Sequence, residues 1–293
     1  MADARIRVVV VTWFPGHHLP ELVESVRSSS AGPVPVTVVD NGSTDGTVEW
    51  VREHEGPLLQ LVETGDNLGY GGGANVGVAR AGEEWVVVAN SDLTLDEGAL
   101  DEVLAAAERW PRAGVLGPRI LTTEGRLYPS ARELPSLGRG VGHALLGWVW
   151  PRNPWTASYR RERGEPREER AGWLSGACMV LRRDAFEAVG GFDTSYFMYF
   201  EDTDLCERLG KAGYDVVYVP SAVVRHHGGA STSRDLVGMS KAHHDSAYLY
   251  LSRHYPGPAW LPVRVALKVG LWARYQLSRR VTRVLHGAEP TRD

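Results

Sequence analysis

The sequence predicts an α/β fold with a mostly parallel central sheet and a helical C-terminal appendage. Three observations predict it. Continuous β-branched runs alternate with helix-spaced segments along the N-terminal part, polar clusters close successive strands, and the tail mixes apolar and basic residues at helical spacing.

Residues 5–12 (RIRVVVVT) form an unbroken β-branched run, as expected of a strand buried on both faces of a parallel sheet. Helical spacing follows at Leu19, Leu22, Val23 and Val26. Residues 34–39 read as a second buried strand, 48–54 as a helix, 58–63 as a third strand, 74–80 as a helix and 85–89 as a fourth strand. In such sheets ligands bind at the carboxyl ends of strands. The polar clusters fall there: Thr12-Trp13, Asp40-Asn41 and Asn90-Ser91-Asp92. Asn41-Gly42 or Asp45-Gly46 alone is ordinary turn chemistry. Three clusters at successive strand ends point instead to a binding site.

Residues 67–75 (NLGYGGGAN) lead into a helix. Glycines let a backbone approach a phosphate closely, and helix N-terminal amides attract anions. A flexible glycine turn is the plainer alternative. The stretch is neither a GxGxxG after the first strand nor a glycine run closed by Gly-Lys-Ser/Thr, which disfavours a dinucleotide dehydrogenase and a P-loop enzyme.

The most informative segment spans residues 197–232. Phe197, Met198, Tyr199 and Phe200 run into Glu201, Asp202 and Asp204, and a helical pattern carries Leu205, Leu209 and Ala212 to a stop at Gly213. Acids at a helix start complement the macrodipole. Behind an aromatic lead-in, partial burial would raise a carboxylate's pKa and suit it to accept a proton. A strand-like run, 216–219, precedes Pro220 and the pair His226-His227.

The chain's 293 residues can bury a full core, and 43% hydrophobic with 23% charged residues is ordinary globular composition. A formal net charge of -4 argues against general nucleic-acid binding. Cys178 and Cys206 match no metal-ligand or redox spacing, and with no signal peptide a reducing cytoplasm is expected.

Together these pieces resemble the inverting family-2 glycosyltransferases of the Rossmann-like GT-A fold. The matching stretches are VVDNGSTDGT, NLGYGGGANVG, VVVANSDLTLD, LSGACMVLRRDAFEAVGGFD, FMYFEDTDLCERLGKAG and YVPSAVVRHHGGAST, in family order over residues 5–232. Within that family the chain is most similar to actinobacterial rhamnosyltransferases that act on N-acetylglucosaminyl-diphospho-decaprenol in the linker to cell-wall arabinogalactan. The resemblance implies a catalytic domain over residues 1–232 and a helical region over 233–293. It implies a nucleotide-sugar donor, dTDP-L-rhamnose, and a polyprenyl-diphosphate-linked N-acetylglucosamine acceptor. Asp40 would hydrogen-bond the nucleobase, with Thr12 and Trp13 lining its pocket. Asn67, Gly72 and Asn75 would follow the nucleoside and diphosphate.

Asn90-Ser91-Asp92 occupies the family's DxD position, with Asn in place of the first acid. Asp92 is thereby the main carboxylate for a divalent metal, Mg²⁺ or Mn²⁺, that neutralises the departing diphosphate. His226 aligns with a family histidine that completes the metal shell, and His227 is the alternative because neighbours on an extended segment face opposite ways. Asp202 matches the family's base, with Glu201 as a supporting acid. Trp173, Ser175 and Gly176 would border the acceptor sugar, though for Trp173 core packing is as good a reading.

Residues 151–170 read as a charged loop, either a lid or simply solvated. The preceding stretch, 141–150, is apolar enough for core or for a lipid-facing surface. After a helix over 240–254 and Pro256-Gly257-Pro258, residues 259–285 carry Arg264, Lys268, Arg274, Arg279, Arg280 and Arg283 and no acid. Such a basic amphipathic helix suits the inner face of an anionic membrane. The alternatives are packing on the catalytic domain or on a second copy of the chain, so a homo-oligomer stays open. Two competing functions remain. One is the same fold transferring galactofuranose, glucose or mannose from a UDP or GDP donor; the other is a non-catalytic glycan- or lipid-binding scaffold.

Overall fold

The β-branched runs become four parallel strands, β1 (Ile6–Thr12), β2 (Val36–Asp40), β3 (Leu59–Glu63) and β4 (Trp85–Asn90), in the spatial order β3-β2-β1-β4. Helices α1 (His18–Ser28), α2 (Thr47–His54) and α3 (Gly69–Val78) connect them. β1 and β4 are buried nearly throughout, which is why their sequences show no polar alternation. This computed structural model describes residues 5–135, 166–228 and 236–286, with side chains described to residue 276.

Past β4 come β5 (Leu93–Leu95), α4 (Ala99–Arg109) and β6 (Ala113–Thr122), then the short β7 (Leu127–Tyr128), β8 (Ala131–Arg132), β9 (Glu169–Arg170) and β10 (Trp173–Leu174). β11 (Cys178–Arg182), α5 (Arg183–Ala188), α6 (Glu201–Lys211), β12 (Asp215–His226), α7 (Leu236–His254) and α8 (Leu261–His286) complete the chain. Beyond β4 the sheet is mixed. β11 lies antiparallel between β4 and β6, and β12 pairs parallel with β6 and antiparallel with β5.

Three expectations change in detail. The helix expected from residue 74 begins at Gly69, inside the glycine run. The strand expected to stop at Pro220 continues to His226; its register shifts between Val219 and Val223, and a proline is tolerated at such an irregularity. Of the charged loop, residues 151–165 lie outside the described residues, as does all of 141–150, while β9 pairs with β12.

The glycines of α3 serve packing. A Cβ on Gly77 would overlap Val9 Cγ1 and lie 2.9 Å from Val39 Cγ2; one on Gly73 would lie 2.8 Å from Val11 Cγ1. The helix therefore rests its backbone directly on β1 and β2. Gly77→Ala is expected to lower stability by about 1–3 kcal/mol through overpacking, although Ala is the better helix former. Gly82→Ala, with nothing within 4 Å, is the control. Denaturant midpoints of the two variants check this.

Past the boundary expected near residue 232, α7 packs against α6 and the turn before it. Tyr250 of α7 is buried and donates a hydrogen bond to Glu207 of α6 at 2.8 Å, and Ser246 donates to the Met198 carbonyl at 2.9 Å. α8 leans on α7, with Lys268 Nζ 5.6 Å above the Tyr248 ring. No described helix is long and apolar enough to cross a membrane.

Candidate active site

The aromatic lead-in works through its backbone. Tyr199 and Phe200, both at φ +68°, take left-handed conformations immediately before α6. Such conformations cost on the order of 1–3 kcal/mol each and persist only where packing fixes them. Here α7 fixes them: Tyr199 and Phe200 pack on His243, at 5.3 and 5.8 Å between ring centroids, and Phe200 also on Tyr250 at 5.4 Å. The sharp turn delivers the first-turn carboxylates of α6 into a cleft of about 420 Å³ at the carboxyl ends of β1 and β4.

Asp202 is held at both oxygens. Oδ2 accepts from the Gly176 N–H at 2.8 Å, and Oδ1 accepts from the N–H and hydroxyl of Thr203 at 2.6 and 3.2 Å. The Gly176 peptide is itself anchored, since its carbonyl accepts a hydrogen bond from the Tyr70 hydroxyl. Glu201 is buried, and its Oε2 has no hydrogen-bond partner among the described residues. Burial pushes both carboxyls above the usual range. Glu201 goes far above because the Asp202 charge adds to burial, while the hydrogen bonds to Asp202 hold it back. The hydrogen bonds donated to Asp202 favour its anion, and Glu201 Oε2 has none to favour its own.

Asp92, buried just past β4, faces His226, with Oδ1 3.1 Å from Nε2. Burial would raise the Asp92 pKa, but the His226 hydrogen bond and charge outweigh it and hold the carboxyl below the usual range. A buried carboxylate beside an imidazole, with Asn90 and Ser91 lining the same wall, is a donor set that fits a divalent cation.

Asp40 ends β2 opposite Thr12 of β1. Its Oδ2 accepts from the N–H groups of Gly42 and Ser43 at 2.9 and 2.8 Å, while Oδ1 and the Thr12 hydroxyl are buried without partners among the described residues. Two unsatisfied polar atoms on neighbouring strand ends suit a ligand with hydrogen-bonding edges, such as a nucleobase.

Of the residues singled out in the sequence, the cleft gathers Thr12, Trp13, Asn67, Asn90, Ser91, Asp92, Trp173, Ser175, Gly176, Glu201, Asp202 and His226. Three do not line it. Asp40 is outside the walls, although Thr12, its partner across β1 and β2, is among them. Gly72 is buried in α3, where a Cβ would lie 2.9 Å from Leu68 Cβ. Asn75 spends its amide on Phe192, donating to its carbonyl at 2.8 Å and accepting from its N–H at 2.9 Å, so it pins the chain ahead of α6. The Trp173 indole N–H donates to the Glu133 carbonyl at 3.1 Å while the side chain still borders the cleft. The structure adds Tyr128, Arg132, Met239 and His243 to the walls. None carried a sequence signal, because short strands and a distant helix bring them in.

A sequence model of glycosyl transferase family 2 matches residues 7–190. The chain belongs to glycosyl transferase family 2. A second model, glycosyl transferase family group 2, matches residues 163–279. The chain is thus a GT-A-type glycosyltransferase, as its α/β architecture and helical C-terminal region indicated. Among its relatives is the N-acetylglucosaminyl-diphospho-decaprenol L-rhamnosyltransferase of Mycobacterium tuberculosis (strain CDC 1551 / Oshkosh). The two are 49% identical over 284 residues, 93% of this chain and 92% of the relative. Rhamnosyltransferase WbbL of Escherichia coli (strain K12) is 38% identical over 42% of this chain and 44% of its own. The fold matches S. aureus TarS 1–349 at TM-score 0.54 and 17% identity, covering 83% of this chain and 65% of that one. GalNAc-T7 with UDP, GalNAc and Mn²⁺ matches at TM-score 0.56 and 14% identity, covering 75% and 43%.

Proposed function

We propose that this family-2 glycosyltransferase moves L-rhamnose from dTDP-L-rhamnose to a polyprenyl-diphosphate-linked N-acetylglucosamine, with inversion, in cell-wall linker synthesis. The observation that carries the chemistry is Asp202, held by three donated hydrogen bonds in the same cleft as Asp92 and His226. The full-length similarity to the mycobacterial enzyme supports the choice of sugar and acceptor.

In the proposed reaction Asp202 takes the proton of an acceptor hydroxyl. The hydroxyl oxygen forms its bond to the anomeric carbon as the bond to the nucleoside diphosphate breaks, and the diphosphate leaves with the electron pair. A protonated Glu201 beside it would keep a second negative charge from opposing the approach. Asp92 and His226 would hold a divalent cation, Mg²⁺ or Mn²⁺, which supplies charge neutralisation to the leaving diphosphate. Thr12, Trp13 and Asp40 would take the thymine, whose imide N–H suits the unpaired Asp40 Oδ1. Asn67, Asn90 and Ser91 would line the sugar and diphosphate, and Trp173, Ser175 and Gly176 the acceptor.

A panel of dTDP, UDP and GDP sugars offered with a short-chain GlcNAc-diphospho-polyprenol tests the assignment. The expected product is one deoxyhexose heavier than the acceptor, and appears only with dTDP-rhamnose. Turnover of UDP-galactofuranose, or of a glucose or mannose donor, in its place would assign a different sugar to the same site.

The acceptor's lipid requires work at a membrane, and α8 offers a surface for it. Leu261, Val265, Val269 and Trp272 follow one helical face, each more than half exposed, with Trp260 beside them. Arg264, Lys268 and Arg274 complete the segment without an acidic residue. Apolar side chains in the interface with cations at the headgroups is the pattern of a helix lying in the membrane plane. Trp272→Glu together with Val265→Glu is expected to abolish co-sedimentation with anionic vesicles and to spare transfer to a water-soluble acceptor. Unchanged co-sedimentation would remove α8 from the contact.

A further inference from the structure

We infer that His18, Glu21 and His227 form a transition-metal site, distinct from the Asp92–His226 pair and built for a borderline cation of the Zn²⁺ class. One ligand atom from each of the three lies within 4.8 Å of the other two. His18 and Glu21 stand one turn apart at the start of α1, with Nδ1 and Oε2 3.8 Å apart. His227 arrives from the end of β12, its ring centroid 5.0 Å from that of His18. His18 Nδ1 and His227 Nε2 are both buried, and neither has a hydrogen-bond partner among the described residues.

That last fact points to a ligand. Leaving one buried polar nitrogen unsatisfied costs about 1–3 kcal/mol, and here two converge on one place beside a carboxylate. Tetrahedral coordination at about 2.0–2.1 Å brings neighbouring ligand atoms to within roughly 3.5 Å, so side-chain movements on the order of 1 Å close the site. Two imidazoles and one carboxylate with an open fourth position favour zinc, nickel or cobalt over magnesium, which prefers oxygen ligands.

The two adjacent histidines are divided between two tasks. His226 turns to the Asp92 carboxylate, and His227 turns away to α1. The His227 main-chain N–H donates to the Asp92 carbonyl at 2.9 Å. A cation on the three side chains therefore fastens the first turn of α1 to the strand end that carries His226 and braces the Asp92 backbone. Its effect is on stability and on the rigidity of that corner, and the inference holds whichever sugar is transferred.

The test uses the full chain stripped with chelator and then titrated with Zn²⁺ in excess Mg²⁺, read by calorimetry and melting temperature, with Co²⁺ visible absorption reporting the ligand geometry. The expected result is one zinc per chain, a rise in Tm, and tetrahedral Co²⁺ bands. His18→Ala and Glu21→Gln should each weaken zinc binding by roughly tenfold or more, since even outer-shell changes cost 10–100-fold. Asp92→Ala should leave it in place. Glu21 is half-exposed on α1, so Glu21→Gln reports even if His18→Ala folds poorly. Wild-type protein that takes no zinc over magnesium overturns the inference. So does zinc binding lost with Asp92→Ala but kept in Glu21→Gln, which would place the ion in the cleft.

Discussion

Asp202→Asn is expected to eliminate transfer while the protein still binds its nucleotide sugar. The substitution preserves shape but keeps an acceptor oxygen for only one side, so either the Gly176 bond or the Thr203 bonds are lost, and an amide cannot take a proton from an acceptor hydroxyl. Loss of a general base is worth about 10²–10⁴ in rate, so kcat should fall at least that far with donor affinity within a few-fold of wild type. Glu201→Gln should behave differently. If the shared proton resides on Glu201, a neutral amide imitates the working state and transfer is expected to stay within about tenfold of wild type. The pH profile carries the same logic. Burial raises the Asp202 pKa above its ordinary 3.8, so activity should disappear as pH falls through a value higher than that. Full activity in Asp202→Asn would refute the assignment; equal damage from both variants would show that the pair acts as a unit.

The second large effect is expected from Asp92→Ala. Asp92 supplies the carboxylate of the proposed cation site, because Asn90 stands where a first acid would. Its removal leaves the diphosphate's charge uncompensated and should cost about 10²–10³ in kcat/KM. A binding readout separates this from a folding defect. In wild type, Mn²⁺ with dTDP should raise Tm more than either alone, by mass action. In Asp92→Ala the Mn²⁺ increment should vanish while any metal-independent dTDP effect remains. An undiminished increment would remove Asp92 from the site.

Most of the parallel half of the sheet was legible in the chain because parallel strands write themselves as unbroken apolar runs, and the residues closing each run fall on one edge of the sheet. Thr12, Asp40 and Asp92 could be placed together on that ground alone. Asp202 was legible because three acids behind four aromatic or sulphur side chains are hard to explain as capping. The glycine run misled in part. Its residues could as well touch phosphate as touch a sheet, and only the closeness of Val9 and Val11 shows that Gly73 and Gly77 serve packing. Asn75 misled similarly, since nothing in the sequence shows that Phe192 will occupy its amide. Tyr128, Arg132, Met239 and His243 were illegible for a different reason. They reach the cleft through two-residue strands and a helix far along the chain, and such long-range placement leaves no periodic trace.

The turn at Ser175–Ala177 joins matters that could have been separate. The Gly176 N–H holds Asp202, and the Ala177 carbonyl accepts from the Asn90 N–H at 2.9 Å, just ahead of Asp92. In the proposed mechanism proton removal and leaving-group support thus hang from the same short hinge, so reshaping it for one disturbs the other. An altered appetite for acceptors must then be acquired around the rim, at Tyr128, Arg132 and the exposed edge of α7. Directed evolution of this scaffold should accumulate its changes there and leave the hinge as it found it.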